Sequence, residues 1–374
     1  MLPIRLFAAA LFAGVLGLSA QAQNGQRAPS FHDPNDDKPW PDAATVQRSR
    51  QAAQARPLFA SDEPVPVTLI ADLGQVQADR DVAGTRLYPA TLVLGPGTPG
   101  ERSLSVQVRT RGHSRLRPDT CTFAPLRLVF QADAAGTIFE GQRRLKLGVH
   151  CRDLGDYPEY VLREYPVYRM FNLLTPNSFR ARLADVKYVD AKSGRSFVRG
   201  AMFIEDDDDV ARRMGGRVSD SVEPSASTYD AGMMALTTVF GYMIGNTDVS
   251  VRSLHNVRVV LMPSGRRFPV PYDFDYSGVV DAVYAVPNPL LDQSTVRQRL
   301  YLGPCLPRPR LADTLTRFTD SRTELLRVYD VVPMLKAQYR AKAKAYLEAF
   351  YERIRTPAGV KRAFIDRCGS QPFM

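Results

Sequence analysis

Gly245-Asn246-Thr247-Asp248, then His255-Asn256, then Pro271-Tyr272-Asp273-Phe274-Asp275: the reading of these short runs of acids and amides decides the fold. Carboxylates and a carboxamide set between apolar runs form the donor set of a magnesium-assisted phosphoryl transfer. One acid orients or deprotonates the acceptor, while an amide oxygen and a second acid hold the metal on the phosphates. The flanks supply the elements. Met233, Leu236, Phe240 and Ile244 recur at helical spacing and predict a helix over about 229–244 that delivers Gly-Asn-Thr-Asp as a loop. Val257, Val259 and Leu261 alternate with Arg258 and Val260, which predicts a strand. Ser264-Gly265 marks its turn, and Phe268 and Val270 begin a return strand that carries Asn256 back towards Asp273. Asn and Asp also favour turns, so each motif alone reads equally as a helix cap or a solvated strand end; their order and pairing favour a site.

The amino-terminal half offers complementary groups. Leu145, Leu147 and Val149 alternate with Arg144, Lys146 and Gly148, a strand that buries the first set and turns Lys146 to the other face. Val161, Tyr165 and Tyr168 predict a helix carrying Glu164, a candidate partner for Lys146, although Pro166 inside it costs about 3 kcal/mol. Arg109-Thr-Arg-Gly-His-Ser114 follows the alternating run Leu104, Val106, Val108, and its glycine turn lets Arg111 and backbone amides approach an anion. Gly95-Pro-Gly-Thr-Pro-Gly100 matches G-x-G-x-x-G, yet its prolines remove amide donors and no helical pattern follows, so it reads as a hairpin loop. The acids 205–209 lack the alternation of a calcium loop, and Asp208 or Asp209 is expected to cap a helix from Val210 to Met214.

The order of an Asn-Asp loop, a downstream Asn and a strand ending in Pro-Tyr-Asp-Phe-Asp resembles the catalytic half of the CotH-type atypical kinases, with a more distant similarity to HipA. The likeness covers about residues 104–280, and Arg-Gly-His-Ser at 111–114 is similar to the Arg-Gly-Asn-Ser stretch of that family. It implies an α+β, two-lobed, protein-kinase-like fold, with a strand-rich lobe over 59–204 and a helical lobe over 205–374. It also implies roles: Asp248 as the catalytic acid; Asn256 and Asp273, with Asp275 as a further ligand, holding magnesium. Lys146 would bind phosphates of ATP or another nucleotide, positioned by Glu164, with Arg111 beside it. Glu205 would lie on the connection that meets adenine. Seven residues separate Asp248 from Asn256, against four in ordinary protein kinases, which leaves Asn246 as a rival ligand.

Composition sets the remaining bounds. Residues 1–22, with Arg5, an apolar run from Leu6 to Leu18 and Ala20-Gln-Ala22, are expected to be a secretory signal peptide, leaving no transmembrane span and a periplasmic or secreted chain. Residues 23–58, polar and aperiodic around Trp40, read as an irregular arm. Cys121, Cys151, Cys305 and Cys368 form an even set; pairing by neighbourhood is the simplest of three connectivities, and the absence of a C-x-x-C pair argues against zinc. The formal charge of +10 becomes +9 without Arg5 and suits anionic partners, whether a nucleotide, an acidic protein or an anionic surface. Dispersed arginines and the lack of a zinc finger or RNA-recognition motif give no support to specific nucleic-acid binding. A phosphoryl or nucleotidyl transferase is therefore set against a non-catalytic exported binding protein on the same scaffold.

Overall fold

Alternation of apolar and polar residues drives the first half of the chain into strands that close on themselves. The computed structural model describes residues 33–223 and 225–369; the expected signal peptide lies outside them. Strands β1 (Val65–Ala71), β2 (Tyr88–Leu94), β3 (Arg102–Thr110), β4 (Leu126–Phe130), β5 (Arg144–Gly148), β6 (Ala181–Asp190) and β7 (Ser196–Ile204) form a closed barrel in the order β1-β2-β3-β4-β5-β7-β6. The β1–β6 pair that shuts it is parallel, and the other pairs are antiparallel. Inward residues such as Leu69, Val106, Leu128, Leu145, Leu147, Val186 and Phe203 fill the interior with side chains. The Gly95–Gly100 run is the β2–β3 connection, as its prolines require.

Two helices accompany the barrel strands: α2 (Leu73–Ala78) after β1, and α3 (Tyr157–Leu174) between β5 and β6. Helix α3 continues through Pro166, and its buried face joins a second, helical core. That core takes in α4 (Asp207–Met214), α5 (Ala231–Ile244), α6 (Arg308–Asp320), α7 (Arg322–Arg327), α8 (Ala337–Ile354) and α9 (Pro357–Val360). A three-stranded sheet of β8 (Arg217–Ser219), β9 (Val257–Leu261) and β10 (Arg267–Pro271), in the order β10-β9-β8, lies among them. The chain is thus a mixed α/β protein. The expected strand-rich region takes the form of a closed barrel, because β1 also pairs with β6 and leaves no free edge.

Local chemistry sets the ends of the site-bearing elements. Asp230 caps α5 by accepting from the Met233 N–H, and Gly245 ends the helix in the left-handed region at φ +68°. A Cβ at Gly245 would sit 2.0 Å from the Tyr346 hydroxyl, so the turn that launches Asn246 tolerates only glycine. The β9–β10 hairpin then returns the chain with Val257 opposite Pro271.

Two expectations need correction. The cap of α4 is Asp206, whose side chain accepts from the Asp208 N–H, so the helix begins at Asp207 and not at Val210. Within the arm expected to be irregular, residues 43–54 form helix α1 (Ala43–Gln54), capped by Asp42. Its stability comes from docking: Ala53 is buried, Arg56 pairs with Asp209, and Arg180 donates to the Ala53 and Gln54 carbonyls. Both disulfides, Cys121–Cys151 and Cys305–Cys368, follow the neighbourhood pairing and are compatible with an oxidising compartment. Among the described residues no helix is long and apolar enough to cross a membrane.

Candidate functional site

Lys146 leaves the outer face of β5, opposite the barrel interior, and is buried to 1% exposure. Its ammonium sits 4.5 Å from the Phe179 ring centroid and 4.6 Å from that of Tyr272, and pairs with Asp207. Burial lowers its pKa to about 8, against the pull of Asp207. Around it lies a cleft of about 270 Å³ that also gathers Arg109, Arg111, Arg127, Arg144 and Arg258. Some of these cations are neutralised: Arg258 lies 3.2 Å from Asp207, and Arg127 and Arg144 meet Asp206 at 3.4 and 2.9 Å. Two of the same arginines still keep an unused donor. Arg127 Nε and Arg258 Nη1 are buried without a hydrogen-bond partner. Arg111 has no carboxylate in ion-pair contact among the described residues, only the longer-range pull of Asp273 against burial.

The acids meet beside this cleft. Asp273 follows β10 and takes a left-handed backbone at φ +60°, a conformation that a non-glycine residue keeps only when its surroundings enforce it. Helix α3 does the enforcing. Tyr160, Glu164 and Tyr168, one turn apart on a single face, accept backbone N–H bonds from Val283, Phe274 and Asp273 at 3.0, 3.1 and 2.9 Å. Asp273 accepts from Arg115 at 2.5 Å, and Asp275 receives the Tyr284 hydroxyl at 3.0 Å with Arg115 Nε 3.6 Å away.

These carboxylates divide a proton between them. Burial pushes Asp275 up to about 7, with Arg115 opposing and Asp273 adding to the push. Asp273 falls below its usual range despite burial, because Arg115, Arg111, a hydrogen bond from Asp275 and His255 favour its charge. Burial, then Asp275 and Asp273, raise Glu164 well above the ordinary glutamate value. Asp248 completes the group: His255 Nε2 lies 2.8 Å from one carboxylate oxygen, and Asn256 Nδ2 donates to the other at 2.9 Å and to the Asp248 carbonyl at 2.8 Å. Burial is the largest influence on His255 and opposes its charge, but the Asp248 hydrogen bond and the charges of Asp248, Asp273 and Asp275 together raise the imidazole pKa.

The structure therefore unites Asp248, Asn256, Asp273 and Asp275 with Glu164, and sets Lys146 and Arg111 across Tyr272 from them. The expected Lys146–Glu164 pair does not form; Asp207 takes the lysine, and Glu164 instead fixes the bend at Phe274. Glu205 does not face the cleft: it is fully buried and held by Arg180 and Arg213 at 2.7 and 2.9 Å. Of the rival amides, Asn246 spends its side-chain oxygen on the Asp248 N–H, whereas Asn256 turns its amide nitrogen onto Asp248. Sequence reasoning missed Arg115, Asp207, Arg258 and Tyr168. Arg115 lies one residue past the Arg-Gly-His-Ser motif and Arg258 inside the predicted strand, so position relative to a motif was the available signal.

No family model matches this sequence. No curated protein matches it either. Among solved structures, the chain is similar to the Helicobacter pylori proinflammatory kinase CtkA, at 11% identity and a TM-score of 0.36, over 61% of this chain and 87% of that one. At so low a score, the chemistry of the site itself must carry any functional reading.

The residues present suit a magnesium ion. Magnesium takes hard oxygen ligands, commonly one or two carboxylates, with waters and substrate phosphates filling the other positions. Asp273 and Asp275 are the two neighbouring carboxylates here, both of them already in contact with Arg115. Among the described residues no group of three or more His, Cys, Asp or Glu is disposed to hold a metal alone.

Proposed function

We propose that this chain is an exported, kinase-like phosphotransferase that binds a magnesium nucleotide and moves a phosphoryl or nucleotidyl group to a hydroxyl acceptor. The observation that carries the proposal is the adjacency of two opposite surfaces. Unpartnered guanidinium donors of Arg127 and Arg258 lie with Lys146 and Arg111 in one cleft, and Arg111 also acts on Asp273. A polyphosphate would satisfy the first surface while a divalent ion satisfied the second. On this reading the barrel and the helical core act as the two lobes, with a motif order that resembles that of CotH-type kinases.

Each residue then has a task. Arg111, Lys146 and Arg258 hold phosphate oxygens, while Asp273 and Asp275, with Asn256 nearby, would hold the metal. Bound there, magnesium would neutralise charge on the phosphates. Asp248, oriented by Asn256 and His255, would orient the acceptor hydroxyl and take its proton. Glu164 and Tyr168 keep the acids in place through backbone bonds. The acceptor hydroxyl oxygen forms the new P–O bond as the bond to the leaving phosphate breaks.

Melting curves with magnesium and ATP test this. A ligand at a hundredfold excess over Kd stabilises by about 2.7 kcal/mol, a shift of several degrees. Asp273→Ala and Arg111→Ala should each remove it, and an unshifted wild-type protein would count against a nucleotide site. One observation favours a second reading, a binding protein without catalysis: Arg115 already sits on Asp273 where a metal is expected. Transfer of labelled γ-phosphate to any acceptor, lost in Asp248→Ala, separates the two.

A further inference from the structure

We infer that the amino-terminal arm builds the base-binding half of the nucleotide site, with the sole tryptophan, Trp40, as its wall. The inference rests on the phosphate reading of the cationic cleft and adds what lies beyond it. A groove of about 430 Å³ runs between the arm and the α4–β8 turn, with Pro39, Trp40 and Val46 on one side and Ala211, Gly216 and Arg217 on the other. Asp208 and Val218 line both this groove and the cleft around Lys146, so the two spaces lie side by side.

The arm is a fixed part of that wall. Asp36 holds Arg267 at 2.9 Å and accepts from Ser219 at 2.8 Å, the Asp33 N–H donates to Ser221 at 2.7 Å, and Arg217 donates to the Asn35 and Lys38 carbonyls at 2.6 and 2.8 Å. At Gly216 a Cβ would come 2.6 Å from the Leu261 carbonyl oxygen, so only glycine lets the α4–β8 turn pack this close to β9. The guanidinium of Arg217 lies 3.6 Å from the Trp40 ring centroid. Stacked planar groups extend readily to a further planar ring.

The chemistry of the lining selects the occupant. Cations, Asp208 and the hydroxyls of Thr45 and Ser49 on the rim suit a heteroaromatic ring with polar edges better than a lipid chain. A bare polyphosphate would leave the apolar wall of Trp40, Pro39 and Val46 without use. A nucleoside base, its phosphates reaching Lys146 and Arg258, uses both spaces.

Because the chain has one tryptophan, its fluorescence reports on this groove alone. Full-length mature protein is titrated with ATP and, separately, with inorganic tripolyphosphate, following Trp40 emission and calorimetric affinity. ATP should change the emission saturably, and tripolyphosphate should bind without changing it. Trp40→Ala should weaken ATP by about tenfold, the usual loss when a base loses its stacking partner, while tripolyphosphate affinity stays within twofold and shows the variant intact. Trp40→Phe should keep most of the ATP affinity. Equal affinity for the two ligands with unchanged emission would overturn the base groove and leave the phosphate cleft standing. If neither ligand binds, the phosphate reading fails first and takes this inference with it.

Discussion

Replacing Arg115 with alanine removes the cation that holds Asp273 and Asp275. Its side chain is 12% exposed and those of the two acids 18% and 5%, so little solvent screens the group. Deleting one partner of a buried ion pair costs about 3–5 kcal/mol, because the remaining charges stay buried. The lower end applies at pH 7, since Asp275, at about 7 with the arginine present, can take a proton and relieve part of the repulsion. Urea unfolding in chelator should therefore show a loss of about 3 kcal/mol. Adding magnesium or manganese should return much of it, about 2.7 kcal/mol at a hundredfold excess over Kd, because the ion replaces the lost charge. Wild-type protein should gain less, since the ion must compete with the guanidinium. An Arg115→Ala variant as stable as the wild type, or one that no divalent ion restores, would refute the reasoning.

Other groups give independent tests. Lys146 titrates at about 8 in the folded chain, below its unfolded value near 10.4, so the unfolded state binds more protons between those limits and folding stability should rise with pH there, while tripolyphosphate affinity falls as the ammonium is lost. Lys146→Met should flatten both trends, which isothermal calorimetry and urea melts across pH 7–10 would measure. Glu205→Gln should destabilise the fold by about 3 kcal/mol by stranding Arg180 and Arg213, yet leave anion affinity unchanged in the same calorimetry.

The hairpin and its acids were readable from sequence because period and turn chemistry agree there. Val257 to Leu261 alternates, Gly245 and Ser264-Gly265 stop the flanking elements, and β9 spans the predicted residues. In helix α8 the residues Tyr339, Ala343, Leu347 and Tyr351, four apart, are all buried, so period and packing agree there too. What escaped were facts set by long-range contact. Barrel closure depends on β1 meeting β6 across more than a hundred residues, which no local pattern records. The arm has no periodic apolar stripe, and its helix forms against α4. Lys146 was placed on the correct face of its strand, but its partner was decided by where Asp206 caps α4, bringing Asp207 under the amine. Glu164 was placed on a helix as a partner for Lys146, while its bond to the Phe274 N–H follows from a backbone bend that sequence does not reveal.

Crystals grown with manganese and a non-hydrolysable ATP analogue test the central claim most directly, because anomalous scattering locates the metal without assumption. The account predicts a manganese ion bound by oxygens of Asp273 and Asp275, a phosphate oxygen in its shell, and the remaining phosphates on Lys146 and Arg111. Analogue and metal bound elsewhere, with the Arg115–Asp273 pair undisturbed, would contradict it.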